Sequence, residues 1–150
     1  MRAVSPVIEH LLLSAAALVF FVFVVYMFTS VQDQLLKDDV NNRLINLSNQ
    51  VALKIAQAYE TGRLLDEISP DEPVVRLYLD LPSTVSGYSY VVRFDEDNIL
   101  AATHGQIAQA PLLGLERDFS IEGKLVGSDT RKPAVTYYKS QNRLVLENVG

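Results

Sequence analysis

The sequence contains no cysteine. Disulfide bonds and thiolate metal sites are therefore excluded, and so is a covalently attached c-type haem, which needs a CxxCH motif. Any folded domain in this chain has to be held by its apolar core and by strand pairing. At 150 residues the chain has room for one small domain once its apolar N-terminal segment is set aside.

Histidine is scarce as well, since the chain has only His10 and His104. A catalytic nucleophile, histidine and acid would depend on His104 alone, and no serine lies in a recognisable catalytic motif. The sequence therefore predicts that the protein is not an enzyme and has no cofactor. Asp95, Asp97 and Asn98 lack the full acidic spacing and the glycine of a calcium loop, so they predict a hairpin turn and no metal site.

The chain also lacks a basic segment. Its net charge is -5, and without a clustered basic face it is not expected to bind nucleic acid as its main role. A short acidic stretch contains Asp66, Glu67, Asp71 and Glu72. This stretch predicts a solvated linker, and the alternative is contact with a basic patch on another subunit.

A long apolar run extends from Leu11 to Phe28 and is interrupted only by Ser14 and Tyr26. The run contains no glycine or proline, and as a helix it would be about 27 Å long, close to the hydrocarbon thickness of a bilayer. It therefore predicts a membrane-spanning helix. Arg2 is the only full cation before the run, which places the N-terminus in the cytoplasm.

The helix is predicted to extend beyond the run at both ends. Ser5 suits the N-cap and Pro6 the first helical position. After Ser30, apolar residues recur at helical spacing and form one stripe: Leu36, Val40, Leu44, Leu47, Val51, Ile55 and Ala58. Thr61-Gly62 is typical of a helix end, so the sequence predicts one helix over residues 4–61 whose outer half packs on a folded head.

The residues before the run have the pattern of a processing site. In a secretory signal peptide the apolar core precedes the cleaved bond, whereas here the charged small-residue junction Arg2-Ala3 lies ahead of the run. A peptidase that cuts after Ala3 would therefore leave the helix on the mature chain. The segment Arg2-Ala3-Val4-Ser5-Pro6-Val7-Ile8 resembles the class III signal peptide of archaeal type IV pilins and pilin-like proteins.

This resemblance implies that residues 1–3 are a leader peptide, which a prepilin peptidase removes by cutting after Ala3. The processing site would comprise Arg2, Ala3, Val4, Ser5 and Pro6. It implies a lollipop-shaped subunit that resides in the cytoplasmic membrane before the pilus assembly machinery adds it to a filament. Its partners would be copies of itself or related pilins, and its head would be exposed on the cell surface for adhesion. The side chains implied in the filament core are Leu11, Leu12, Leu13, Leu18, Phe20, Phe21, Phe23 and Phe28.

Glu9 is unusual because a carboxylate near the start of an apolar helix is costly to bury without a partner. The resemblance implies that Glu9 pairs with the α-ammonium group of Val4 in a neighbouring subunit during assembly. The alternative is that Glu9 and His10 lie at the level of the lipid headgroups, where the carboxylate favours the positive end of the helix dipole.

Asn46-Leu47-Ser48 is a possible N-glycosylation site on the exported side. Five tyrosines in the C-terminal part predict core packing and cross-strand pairs, with a surface for glycans or partner subunits as the alternative. They are Tyr78, Tyr88, Tyr90, Tyr137 and Tyr138.

Residues 62–150 contain short segments with the alternation of half-buried strands. The clearest are Val75 to Leu81 and Tyr88 to Phe94, and weaker ones lie near Ile99–Thr103, Asp118–Val126, Ala134–Lys139 and Arg143–Glu147. Six or so short strands predict an antiparallel sandwich or barrel-like sheet packed on the helix. The predicted fold class is therefore α+β, a long N-terminal helix followed by a small antiparallel β-sandwich-like head.

Two classes of function fit this organisation. One is the structural filament subunit, and the other is a membrane-anchored extracytoplasmic binding module, or a stator-like component of an archaellum, that does not polymerise. Both have the same topology. A secreted protein with an ordinary signal peptide would need cleavage near Phe28-Thr29-Ser30, which lacks a small-x-small site.

Overall fold

A computed structural model gives the structure of the chain and describes residues 4–66, 69, 72–112, 117–128 and 130–150. The fold is α+β, since one long helix, α1 (Val4–Leu64), precedes a seven-stranded sheet. Two compact units are present, Met1–Asp38 and Asp39–Gly150. The first contains the apolar half of α1, and the second contains the rest of α1 together with the sheet.

Helix α1 continues to Leu64, beyond the predicted end at Thr61. Gly62 does not end the helix; its missing side chain instead makes room for a neighbour. A Cβ atom at this position would collide with the ring of Tyr137. The glycine therefore marks a close approach between the helix and the sheet, and a sequence-based reading mistakes it for a stop signal.

The end of α1 is capped by Lys139, which lies in a turn of the C-terminal part of the chain. Lys139 Nζ donates hydrogen bonds to the carbonyl oxygens of Arg63 and Leu65, at 3.2 and 2.6 Å. Arg63 belongs to the last turn and Leu65 follows the end of the helix, so neither carbonyl has an intrahelical partner. A cation at this end also interacts favourably with the helix dipole.

In the described part of the chain, seven strands follow the helix. They are β1 (Val75–Tyr78), β2 (Val91–Asp95), β3 (Asn98–Thr103), β4 (Gln106–Pro111), β5 (Ser120–Val126), β6 (Lys132–Tyr138) and β7 (Arg143–Val149). Their order in the sheet is β1-β6-β7-β5-β2-β3-β4. All neighbours are antiparallel except β5 and β7, which run parallel. The predicted antiparallel sandwich is therefore wrong in two respects, because the strands form one sheet and that sheet is mixed.

Strand β5 joins the two halves of this sheet. Residues 120–123 pair with β7, whereas residues 124–126 pair with β2. Gly123 lies at the change of partner with a φ of 87°, a conformation that is unfavourable for residues with a Cβ atom. A Cβ atom here would also collide with the carbonyl oxygen of Leu146, so the junction requires glycine on two counts.

The predicted strands differ from the observed ones in three places. Strand β1 ends at Tyr78, because Leu79 still donates to the carbonyl oxygen of Pro133 on β6 but the proline has no N–H to return a second bond. Strand β2 begins at Val91, and Tyr88 instead closes a tight turn with Val85. Strand β4 was not predicted, because its inward side chains are small alanines and its largest apolar residue faces outward.

The core lies between α1 and one face of the sheet. The predicted stripe is confirmed from Leu44 to Ala58, since its five members in this stretch are all buried. Val40 packs against the core and is partly buried, whereas Leu36 is 63% exposed and belongs to the other unit. Tyr59 extends the stripe and makes ring contacts with Phe119 and Tyr137, at centroid distances of 4.7 and 5.8 Å.

A buried threonine on β6 is held by a charged pair from the strands on either side. Thr136 Oγ1 donates to Glu147 Oε1 at 2.6 Å and accepts from Arg76 Nε at 3.3 Å. The two charged groups also form an ion pair at 3.4 Å. Because a buried hydroxyl without a partner is costly, this network stabilises the pairing of β1, β6 and β7.

The loop between β1 and β2 is attached to the sheet by Tyr90. Its hydroxyl donates to the carbonyl oxygen of Pro82 at 2.5 Å, and burial raises the pKa of Tyr90 from 10.0 to about 12. Burial is also the main cause that raises the pKa of Tyr137. Both phenols favour the neutral form in the folded state.

We expect Gly123→Ala to lower the free energy of unfolding by about 3 kcal/mol, because the alanine adds a collision to an unfavourable φ. Gly87 is the matched control, since it has a φ of 82° but open space around it. Gly87→Ala should cost only about 1 kcal/mol. Chemical unfolding of the full chain in detergent measures both, and equal losses would show that the contact with Leu146 is unimportant.

We expect the stability of the folded chain to fall as the pH rises from 10 towards 12. In this range the unfolded chain loses the Tyr90 proton while the folded chain keeps it, so each pH unit shifts the unfolding equilibrium by up to about tenfold per phenol. Below pH 10 both states keep the proton and this dependence disappears. The Tyr90→Phe variant should show a shallower slope in alkaline unfolding experiments, and an unchanged slope would contradict the assignment.

Candidate functional site

The first half of α1 has no apolar partner within its own unit. Every side chain from Pro6 to Asp38 is exposed. By length and composition, α1 is the one helix among the described residues that could cross a membrane. An uncovered apolar helix of this length requires either lipid or other protein around it.

The side chains predicted for the filament core are all found on this surface. They are between 58% and 68% exposed: Leu11, Leu12, Leu13, Leu18, Phe20, Phe21, Phe23 and Phe28. Burial of one such side chain contributes about 1.5–3 kcal/mol, so eight contribute on the order of 10 kcal/mol. This is comparable with the whole free energy of unfolding of a typical domain, so covering this surface is strongly favourable.

Aromatic and aliphatic side chains form a shallow groove on one side of this half of α1. The groove is lined by Phe20, Phe23, Val24, Met27, Phe28 and Val31. Ridges of side chains at i, i+3 and i+4 on one helix pack into such grooves on another. The surface is therefore suited to contact with a second helix as well as with lipid chains.

The predicted processing residues lie at or before the start of α1. Arg2 and Ala3 are outside the described residues, and Val4 is the first residue of the helix. The helix thus includes the predicted capping residue Ser5 and the predicted first helical residue Pro6. Because the first four N–H groups of a helix have no intrahelical acceptor, the missing N–H of Pro6 allows the helix to begin before it.

Glu9 is exposed on the first turns of α1, next to His10. No ion pair to Glu9 is found within the described part of the chain. The described residues thus give this carboxylate no ion-pair partner. Both predicted roles stay open, since an ammonium group of a neighbouring subunit and the lipid headgroup region would each lie outside the chain.

The predicted glycosylation site lies on the part of α1 that packs on the sheet. Asn46 is exposed, but Ser48 is fully buried and its hydroxyl donates to the carbonyl oxygen of Leu44 at 3.0 Å. The two residues of the sequon therefore face different environments. A glycan at Asn46 would have to be attached before this part of the helix packs.

The remaining candidates divide between core and surface. Tyr90 and Tyr137 are buried, whereas Tyr78 and Tyr88 are more than half exposed. The ring of Tyr88 stacks on His104 at 5.6 Å, a contact that the sequence does not reveal because the two residues lie in different turns. Tyr138 packs beneath the guanidinium group of Arg143.

The acidic candidates do not assemble into a site. Asp95 and Asn98 are directly paired at the end of the β2–β3 hairpin, which confirms the predicted turn around Asp97. Asp66 and Glu72 are exposed, while Glu67 and Asp71 lie outside the described residues. Among the residues that the structure describes, no three His, Asp or Glu side chains are grouped to hold a metal ion.

The site that the structure supports is therefore a surface, namely the apolar half of α1. Its distinguishing property is that apolar side chains point in all directions around the helix axis, with Glu9 near one end. The chain was compared with family models, with curated proteins and with solved structures, and none of the three comparisons gives a match.

Proposed function

We propose that the protein is a structural subunit of an archaeal type IV pilus-like filament. In this proposal a prepilin peptidase cuts after Ala3, and the apolar half of α1 passes from the membrane into the core of a polymer. The head of residues 62–150 faces outward at the cell surface for adhesion. The resemblance of residues 2–8 to class III signal peptides supports the processing step.

The observation that carries the proposal is the exposure of apolar side chains around the full circumference of α1 between Leu11 and Phe28. A helix packed on one neighbour needs a single apolar stripe, as its second half shows. Identical helices that surround one another can replace lipid on every side, so the same surface is satisfied before and after assembly. The junction Arg2-Ala3 ahead of this run would keep the surface on the mature chain.

The test is N-terminal sequencing of material sheared from cells, combined with electron microscopy. We expect fibres whose subunits begin at Val4, because cleavage after Ala3 removes the leader and retains the helix. Ala3→Arg should block cleavage and leave an uncleaved chain in the membrane. Wild-type protein that starts at Met1 and is recovered only from membranes would instead favour an anchored, non-polymerising binding module.

We expect Glu9→Gln to reduce the yield of sheared fibres by roughly tenfold or more, because a neutral amide cannot pair with the α-ammonium group of a neighbouring Val4. Asp33→Asn is the matched control, since it makes the same charge change at an exposed position of α1 beyond the apolar run. Fibre yield is measured by immunoblotting of the sheared fraction. Equal yields from the wild type and both variants would favour a role for Glu9 at the headgroups.

A further inference from the structure

The second half of α1 has an unusual outer surface. Asn42, Asn46, Asn49, Leu53 and Gln57 recur at helical spacing and are all exposed. At about 100° per residue their directions fall within roughly 40° of that of Leu53, opposite the buried stripe from Leu44 to Ala58. These five residues are called the amide face, and they extend over about 22 Å of the helix.

The amide face contains no ionisable side chain, although the outer side of a packed helix usually carries charges. The nearest charged groups are Arg43 and Lys54 along one flank, and Asp39 and Glu60 just beyond the two ends of the face. All four have partners within α1, and Glu60 pairs with Arg63 at 4.0 Å. Arg43 pairs with Asp39 at 2.8 Å, and Lys54 Nζ donates to Gln57 Oε1 at 3.0 Å. Depletion of Lys, Glu and Asp is the compositional mark of the centre of a protein interface.

Leu53 lies at the middle of the amide face and is 71% exposed. In water this position would favour a charged or polar residue, since an exposed leucine contributes nothing to the core. The amides around it have a further property. Each amide group carries both hydrogen-bond donors and acceptors, so two identical amide faces can form hydrogen bonds with each other. Two identical faces of like charge would repel.

We propose that the amide face is a subunit interface occupied by α1 of a second copy of this chain. The inference rests on the proposed function and extends it, because it carries helix-to-helix contact beyond the apolar half of α1. Helix α1 is continuous from Val4 to Leu64, so the amide face belongs to the same helix as the apolar half. The self-complementary amides, with Leu53 at their centre, provide the contact. The amide face and a glycan at Asn46 then exclude each other, since a bulky glycan at this position would hold two helices apart.

The absence of cysteine allows a direct test with single cysteine variants of the full chain. Leu53→Cys is labelled with a polyethylene glycol maleimide in sheared fibres and in monomers extracted into detergent. We expect labelling in fibres to be slower than in monomers by roughly tenfold or more, because the second copy covers this position. Ile107→Cys on edge strand β4 is the control, since Ile107 is 63% exposed, and it should label at similar rates in both states.

The outcomes separate the two proposals. If the wild type forms no fibres, the proposed function fails. If fibres form and Leu53→Cys labels as fast in them as in monomers, the amide face is solvent-exposed and only the present inference fails. Should Leu53→Cys not assemble, Gln57→Cys carries the same measurement. Mass spectrometry of wild-type fibres should find Asn46 unmodified, and a glycan there would overturn the interface.

Discussion

The packing of α1 on one face of the sheet is the interaction on which the rest of the head depends. The buried stripe from Leu44 to Ala58 gives the sheet its core, since the strands form one layer and no second sheet covers them within the residues that the structure describes. The same contact orients the helix. It requires Gly62 to pass close to Tyr137, brings Lys139 to the end of the helix, and turns the amides around Leu53 away from the sheet.

Helix α1 carries three kinds of surface along one continuous element. Its first half is apolar on all sides, and its second half is apolar towards the sheet and amide-rich on the opposite side. A membrane anchor needs only the first of these surfaces and a globular head needs only the second. The combination is what a subunit requires if it is to reside in lipid, fold outside it and later meet identical neighbours, as proposed.

The sequence predicts this helix well because its signals are local and repeated. The stripe from Val40 to Ala58 follows helical spacing over five turns, so the pattern remains recognisable even if one residue departs from it. Leu36 continues the spacing but remains exposed, because the spacing does not tell where the partner surface ends. Gly62 was misread for a similar reason, since its role depends on Tyr137, which is distant in sequence.

The sheet was predicted less well because its defining features are not local. The inward residues of β4 are alanines, which give little apolar signal, and the exposed Ile107 inverts the expected pattern. No alternation of residues reveals that β5 pairs with β7 in parallel, because that choice depends on register across the whole sheet. The Tyr88–His104 stack is missed likewise, whereas the apolar run and the junction at Arg2-Ala3 can be read directly, since both depend only on neighbouring residues.

The position of β7 in the sheet also governs when the head can form. Strand β7 comprises residues 143–149, and yet it lies between β6 and β5 in the interior of the sheet. Without this late segment the pair β1-β6 and the group β5-β2-β3-β4 are not joined to each other. The sheet therefore cannot be completed before residues 143–149 are present. Until then the strands on either side of β7 have unpaired edges, which are prone to aggregation.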